Sequence, residues 1–160
     1  MFSDESRFVL ERHDGRIRVY RRPHERYAHN CIRDALKFGG GSIMVWGGIT
    51  ENFRTQLVPI RENITAQWYI NNVLTPHVVP FFQTQGQGFT FMHDNAAPHR
   101  ARVTTAFLNQ NNINVLRPWP AMSPDLNPIE HVWDMLDRHV RNLPNPPQTL
   151  VQLENELTHA

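Results

Sequence analysis

Cysteine is almost missing from the 160 residues: Cys31 stands alone, which excludes an intrachain disulfide framework and a cysteine-based zinc site. A reducing compartment is compatible with that usage. Lysine is as scarce, since Lys37 is the sole one and the other fifteen of sixteen basic residues are arginines. Formal net charge is only +1, so no overall polyelectrolyte attraction to nucleic acid is available. No apolar run approaches the roughly 20 residues of a membrane span, and no signal-peptide pattern opens the chain. Gly39-Gly40-Gly41 lacks the Lys-Ser/Thr ending that a phosphate-binding loop needs, and no internal repeat is present.

What is present describes one soluble domain with a real core. Apolar residues make up 40% and aromatics 10%, and a chain of this length removes roughly 68–70% of its unfolded surface from water. Residues 1–143 read as the domain body, and 144–160 as a proline-rich linker with the start of a C-terminal helix. Residues 1–40 carry nine Lys/Arg against six Asp/Glu, an excess concentrated in Arg16, Arg18, Arg21, Arg22 and Arg26. Such a run is either a solvated face or a phosphate-contacting patch beside Asp4, and arginine's planar donor fork suits phosphate.

Periodicity predicts an α/β fold. Phe8-Val9-Leu10 and Ile17 to Tyr20 read as strands around a His13-Asp14-Gly15 turn. Ser42 to Ile49 is a strongly apolar, central strand and Arg54 to Pro59 the next, giving an antiparallel meander. Ala66 to Gln83 carries a helical stripe that Pro76 and Pro80 should kink or split. Phe89 to Met92 is a short buried strand, residues 100–111 a helix with Val103, Ala106 and Phe107 inward, and Ile113 to Leu116 a small strand. From Pro128 a helix places Ile129, Val132, Trp133, Leu136, Val140 and Leu143 on one face. The sum is a mixed central sheet, an antiparallel meander followed by parallel strands, flanked by helices.

Two acids sit at junctions of this pattern. Asp94 ends a core strand at a loop opening a helix, the kind of place where open α/β sheets put their chemistry. Taken alone, it is as readily a turn residue bonding its own backbone. Glu130 follows Asn127 and Pro128 in the first helical turn, about 100° off the apolar stripe. It can point along the sheet edge, or reach back to the Asn127 amide as half of a capping box.

The surrounding words resolve the choice. Phe91-Met92-His93-Asp94-Asn95-Ala96-Ala97-Pro98-His99 and the run Pro118 to Trp133, with Ser123-Pro124-Asp125-Leu126-Asn127-Pro128-Ile129-Glu130 inside it, resemble the catalytic domain of Tc/mariner transposases. Phe2-Ser3-Asp4-Glu5-Ser6-Arg7-Phe8 is similar to that family's first catalytic motif, and Val45-Trp46-Gly47-Gly48-Ile49 extends the likeness. The resemblance implies an RNase H-like fold and a DDE triad of Asp4, Asp94 and Glu130 holding two Mg²⁺ ions, with Mn²⁺ as a substitute. Asn95, His99 and Asn127 match the motif as site-shaping residues. The implied reaction is hydrolysis at a transposon end, then attack of the freed 3′-hydroxyl on target DNA. The implied setting is a homodimer on DNA, away from membranes, in the nucleus of a eukaryote.

The chemistry asks for this residue set. Two divalent ions roughly 3.5–4 Å apart serve phosphodiester transfer, and hard cations take oxygen ligands. His93 and His131, by strand alternation and helix rotation, should point away. A zinc centre from His93, His99, His131 and His139 has no recognisable ligand spacing, and an RNase H-type nuclease fits the third motif poorly. Two departures stand out. Thirty-five residues separate Asp94 from Glu130, one more than is typical of the Tc branch, with Arg117 in the loop as the natural extra. No paired helix-turn-helix region precedes Asp4, which suggests a fragment truncated at its N-terminus. The alternative function is a catalytically inactive remnant or host-adopted DNA-binding module.

Overall fold

The computed structural model describes residues 1–10, 41–85, 88–120 and 123–159. The expected hairpin around His13-Asp14-Gly15, its strand Ile17 to Tyr20, and Arg16, Arg18, Arg21, Arg22 and Arg26 lie outside the described residues.

Strand β1 (Phe2–Val9) starts earlier than the apolar Phe8-Val9-Leu10 run suggests, because the polar stretch Ser3 to Arg7 is also paired. It runs antiparallel to β2 (Ser42–Ile49) from Phe2↔Ile49 to Val9↔Ser42, with Asp4 opposite Gly47. The apolar β2 is the middle strand of three, as its composition predicts. The third strand, β3 (Val58–Ile60), is shorter than expected; Arg54 contributes only an isolated antiparallel bridge to Ile49. Past the meander, the sheet continues as single parallel bridges, Phe2↔Met92 and Phe91↔Val115. Ser3 N donates to Met92 O at 3.0 Å and Met92 N to Met1 O at 2.8 Å.

The helical stretch after β3 is continuous; of the two outcomes expected at its prolines, a kink or a split, the split does not occur. It begins as α1 (Ala66–Tyr69), widens to a π-helix over Ile70–Val78, and ends as α2 (Val79–Gln85). Thr65 caps it, its hydroxyl accepting from Trp68 N at 3.1 Å. In a tight α-helix Pro76 and Pro80 would each lose a hydrogen bond and press on the carbonyl four residues back. The wider turn relieves this: Val79 N bonds Leu74 O, five residues back. This helix covers one face of the sheet, where Trp46, Tyr69, Val73, Leu74, Phe82, Phe91 and Leu108 form one buried cluster.

Two short helices follow Asp94: α3 (Ala97–Arg100) and α4 (Arg102–Gln110). Of the inward residues predicted for α4, only Phe107 packs against the core. Thr104 and Leu108 are buried, while Val103 is exposed and Ala106 faces solvent. Thr104 tolerates burial because its hydroxyl donates to Pro98 O at 2.7 Å. On the opposite sheet face, α5 (Pro128–Arg141) and α6 (Leu150–His159) bury Ile129, Trp133, Val140, Leu153 and Leu157 against Phe8 and Val45. Strand alternation serves both layers, since neighbours Val45 and Trp46 enter opposite clusters.

Candidate functional site

Alternation along β1 decides what each acid meets. Asp4 shares a face with Phe8, so it points toward the α5 layer; Ser3 and Glu5 point to the other face. The indole of Trp133 reaches Asp4, with Nε1–H donating to Oδ2 at 3.3 Å. Phe8 holds that indole edge-on, ring centres 6.2 Å apart at 79°. Glycine at position 47 makes the room: a Cβ there would stand 2.7 Å from the Trp133 ring. Burial pushes the Asp4 carboxyl up to about 7, and the negative charges of Glu5 and Glu130 add to it. The backbone N–H of Glu5 and the Trp133 indole oppose the shift without cancelling it.

Glu130 arrives with the start of α5. Asn127, expected as an N-cap, makes no side-chain capping bond. Its buried amide instead turns to β1, with Nδ2 3.5 Å from Ser3 O, and its Oδ1 has no partner among the described residues. That contact docks the helix start beside the first acid. Glu130 itself is exposed at the first turn, close enough for its charge to act on Asp4.

Asp94 belongs to a different set of contacts. Its Oδ1 accepts from Ala96 N at 2.9 Å, so the turn-residue role weighed from sequence is realised, and lies 2.6 Å from His99 Nδ1. The hydrogen bond with His99 lowers the Asp94 carboxyl, against an opposing push from burial. The side chain of His99 is 3% exposed, and its Nε2 lies 3.3 Å from Glu5 Oε1. Burial disfavours a charged His99, yet the bonds to Asp94 and Glu5 outweigh it and raise the ring to about 9. Tyr69 and His93 pack against that ring, with centres 4.3 Å and 5.1 Å away. His93 is driven down to about 3, by burial first and then by the positive charges of His99 and Arg117. It is a neutral ring in the interior, its Nδ1 3.4 Å from the Tyr69 hydroxyl.

The structure thus brings Asp4 within electrostatic reach of Glu130, and Asp94 together with Glu5 and His99. Among the described residues, those last three form the one group of acids and histidines whose ligand atoms lie within 4.8 Å of one another. Asn95 shapes the loop, its Nδ2 donating to Trp119 O at 2.9 Å. His131 is exposed, away from the core. Glu5 is the residue that sequence reasoning missed. The available signal was alternation: next to Asp4 on a strand, Glu5 must face the opposite side of the sheet.

A family model described as DDE superfamily endonuclease matches residues 1–153. The Tc1 transposase of Caenorhabditis elegans is 35% identical over 160 residues, covering 97% of this chain and 57% of that protein. The chain therefore spans little more than half the length of this curated relative. Among solved structures, the Mos1 transposase paired-end complex with left transposon end gives a TM-score of 0.68 at 20% identity, over 98% of this chain and 46% of that one. The Mos1 catalytic domain with Raltegravir and Mg gives 0.54 at 22%, over 74% and 63%. The likeness to both structures is one of fold, the RNase H-like fold of the Mos1 catalytic domain.

Proposed function

The chain belongs to the DDE superfamily of endonucleases, in its Tc/mariner branch, and on that premise we propose that it is the catalytic domain of a DNA transposase. It hydrolyses a phosphodiester at a transposon end and joins the freed 3′-hydroxyl to target DNA. Asp4, Asp94 and Glu130 hold two Mg²⁺ ions, which Mn²⁺ can replace.

The observation that carries the reading is the parallel bridge Phe2↔Met92. Parallel pairing advances both segments in the same direction, so Asp4, within β1, and Asp94, just past Met92, each two residues on from the bridge, stand at the same level along the strand axis. The Asn127 contact to Ser3 O brings Glu130 to that level as well. The donors fit a hard divalent cation. They are carboxylate oxygens, the charged neighbours acting on Asp4 are acids, and the buried Asn127 Oδ1 lacks a partner among the described residues. When bound, the ions activate an oxygen nucleophile and neutralise charge on the leaving oxygen.

The chain's own groups prepare that site. Trp133 fixes the rotamer of Asp4, and Asn95 secures the loop leading from Asp94 toward Glu130. Arg16, Arg18, Arg21, Arg22 and Arg26 supply phosphate contacts, and the chain acts as a homodimer on DNA in a nucleus. Residues 1–143 form the catalytic body. The test is nicking of supercoiled DNA in Mg²⁺ or Mn²⁺. Metal-dependent conversion that Asp94→Asn abolishes is expected. No metal-dependent cleavage, or equal cleavage by the variant, would point to a non-catalytic remnant.

A further inference from the structure

The geometry points to His99 as the positioning residue for Asp94: anchored on Glu5 and clamped between two rings, it occupies one carboxylate oxygen and leaves the other for a cation. This deepens the ion-site reading and rests on it.

The argument is one of lone pairs. Asp94 Oδ1 accepts from Ala96 N at 2.9 Å and meets His99 Nδ1 at 2.6 Å, which uses both acceptor directions of that oxygen. Oδ2 has no hydrogen bond among the described residues, and the side chain is half exposed, at 49%. A cation therefore meets Asp94 through a single, predetermined oxygen. A free carboxylate would have to give up rotamer freedom on binding; this one is already fixed.

The clamp itself is rigid. His99 is buried, stacked at 15° on His93 and tilted at 37° to Tyr69. Its far nitrogen is tied to Glu5 Oε1 on β1. Glu5 lies beside Asp4 in sequence, so the relay Glu5–His99–Asp94 couples the β1 segment carrying the first acid to the loop carrying the second. Partners behind a metal ligand typically change metal affinity by about 10–100-fold when removed.

The test compares Mn²⁺ affinity, by electron paramagnetic resonance titration, with the imidazole N–H proton resonances of the metal-free chain. His99→Ala is expected to weaken Mn²⁺ binding about 10-fold or more while the protein still unfolds cooperatively. His99→Asn, whose amide nitrogen superposes on Nδ1, should recover most of that loss, and Glu5→Gln should fall between. The metal-free chain should show a downfield N–H resonance that Asp94→Asn removes. Binding by His99→Ala within twofold of the parent overturns the proposal. So does a loss that His99→Asn does not recover, which would make the ring itself a ligand. A parent chain that shows the resonance yet binds no Mn²⁺ overturns the ion-site reading, leaving the relay as a fold element only.

Discussion

Replacing Gly47 by alanine tests how the first acid is held. Gly47 lies directly across from Asp4 in the β1–β2 ladder. An added Cβ would stand 2.7 Å from the Trp133 ring and 2.9 Å from a Leu57 methyl. The leucine tip can swing aside. The indole is pinned by Phe8 and by its bond to Asp4, so it has to shift bodily. Overpacking of this kind costs about 1–3 kcal/mol, offset by about 0.5–1 kcal/mol because alanine outdoes glycine in a strand. A net loss of roughly 0–2.5 kcal/mol is expected in urea unfolding followed by circular dichroism. Gly48→Ala is the control, since its Cβ meets the end of the flexible Met1 side chain at 3.2 Å and Thr55 Cγ2 and Trp46 Cη2 only at 3.4 Å, close to ordinary van der Waals contact. It should be neutral to slightly stabilising. In Gly47→Ala the Trp133 indole N–H resonance should also move. The reasoning is refuted if Gly47→Ala is no less stable than Gly48→Ala, or if that resonance stays put.

Asp4→Asn removes a desolvated acid from beside Glu5 and Glu130. It should stabilise the metal-free chain by on the order of 1 kcal/mol and abolish the rise in melting temperature that Mg²⁺ gives the parent, both read by scanning calorimetry. At 100 times its Kd a bound ion stabilises by about 2.7 kcal/mol, so the difference between the two chains is large enough to measure. Thr104→Val keeps the volume but removes the donor to Pro98 O, and should cost about 1 kcal/mol in the same urea assay. Burial lowers the pKa of His77, whose ring lies tilted against Trp46. The unfolded chain therefore binds the proton more tightly, and stability falls as pH drops below the ordinary value of about 6.5. His77→Gln should reduce that fall between pH 7 and 5.

Much of this architecture is legible in the residues, and the rest fails for identifiable reasons. The strongly apolar run Ser42 to Ile49 reads as a central strand, and it lies in the middle of the meander with helices on both sides. Of the predicted stripe, Ile129, Val132, Trp133, Leu136 and Val140 form the packed face of α5, while Leu143 lies past its end at Arg141. The helix is not split at Pro76 because that rule assumes α-helical pitch and Pro76 lies inside the wider turn; Pro80 follows just beyond it, at the second residue of α2. Val103 misled because hydrophobicity alone cannot see that a threonine hydroxyl will find Pro98 O. Asn127 has the composition of a cap but serves a tertiary contact across 124 positions, which no local pattern encodes. At the site, the acids were visible as words. The relay behind Asp94 was not, because it depends on which face of β1 meets the loop.

Two adjacent carboxylates with opposite assignments make the registry of the first strand a form of addressing. Sliding it by one residue against β2 would turn Glu5 toward Trp133 and Asp4 toward His99, exchanging their duties without altering composition. The safeguard is the Phe2–Met92 seam together with Phe8 seated under the indole, which fix the phase of the strand at both ends. Variation that loosens either anchor should therefore mis-deliver the first acid long before it unfolds the domain.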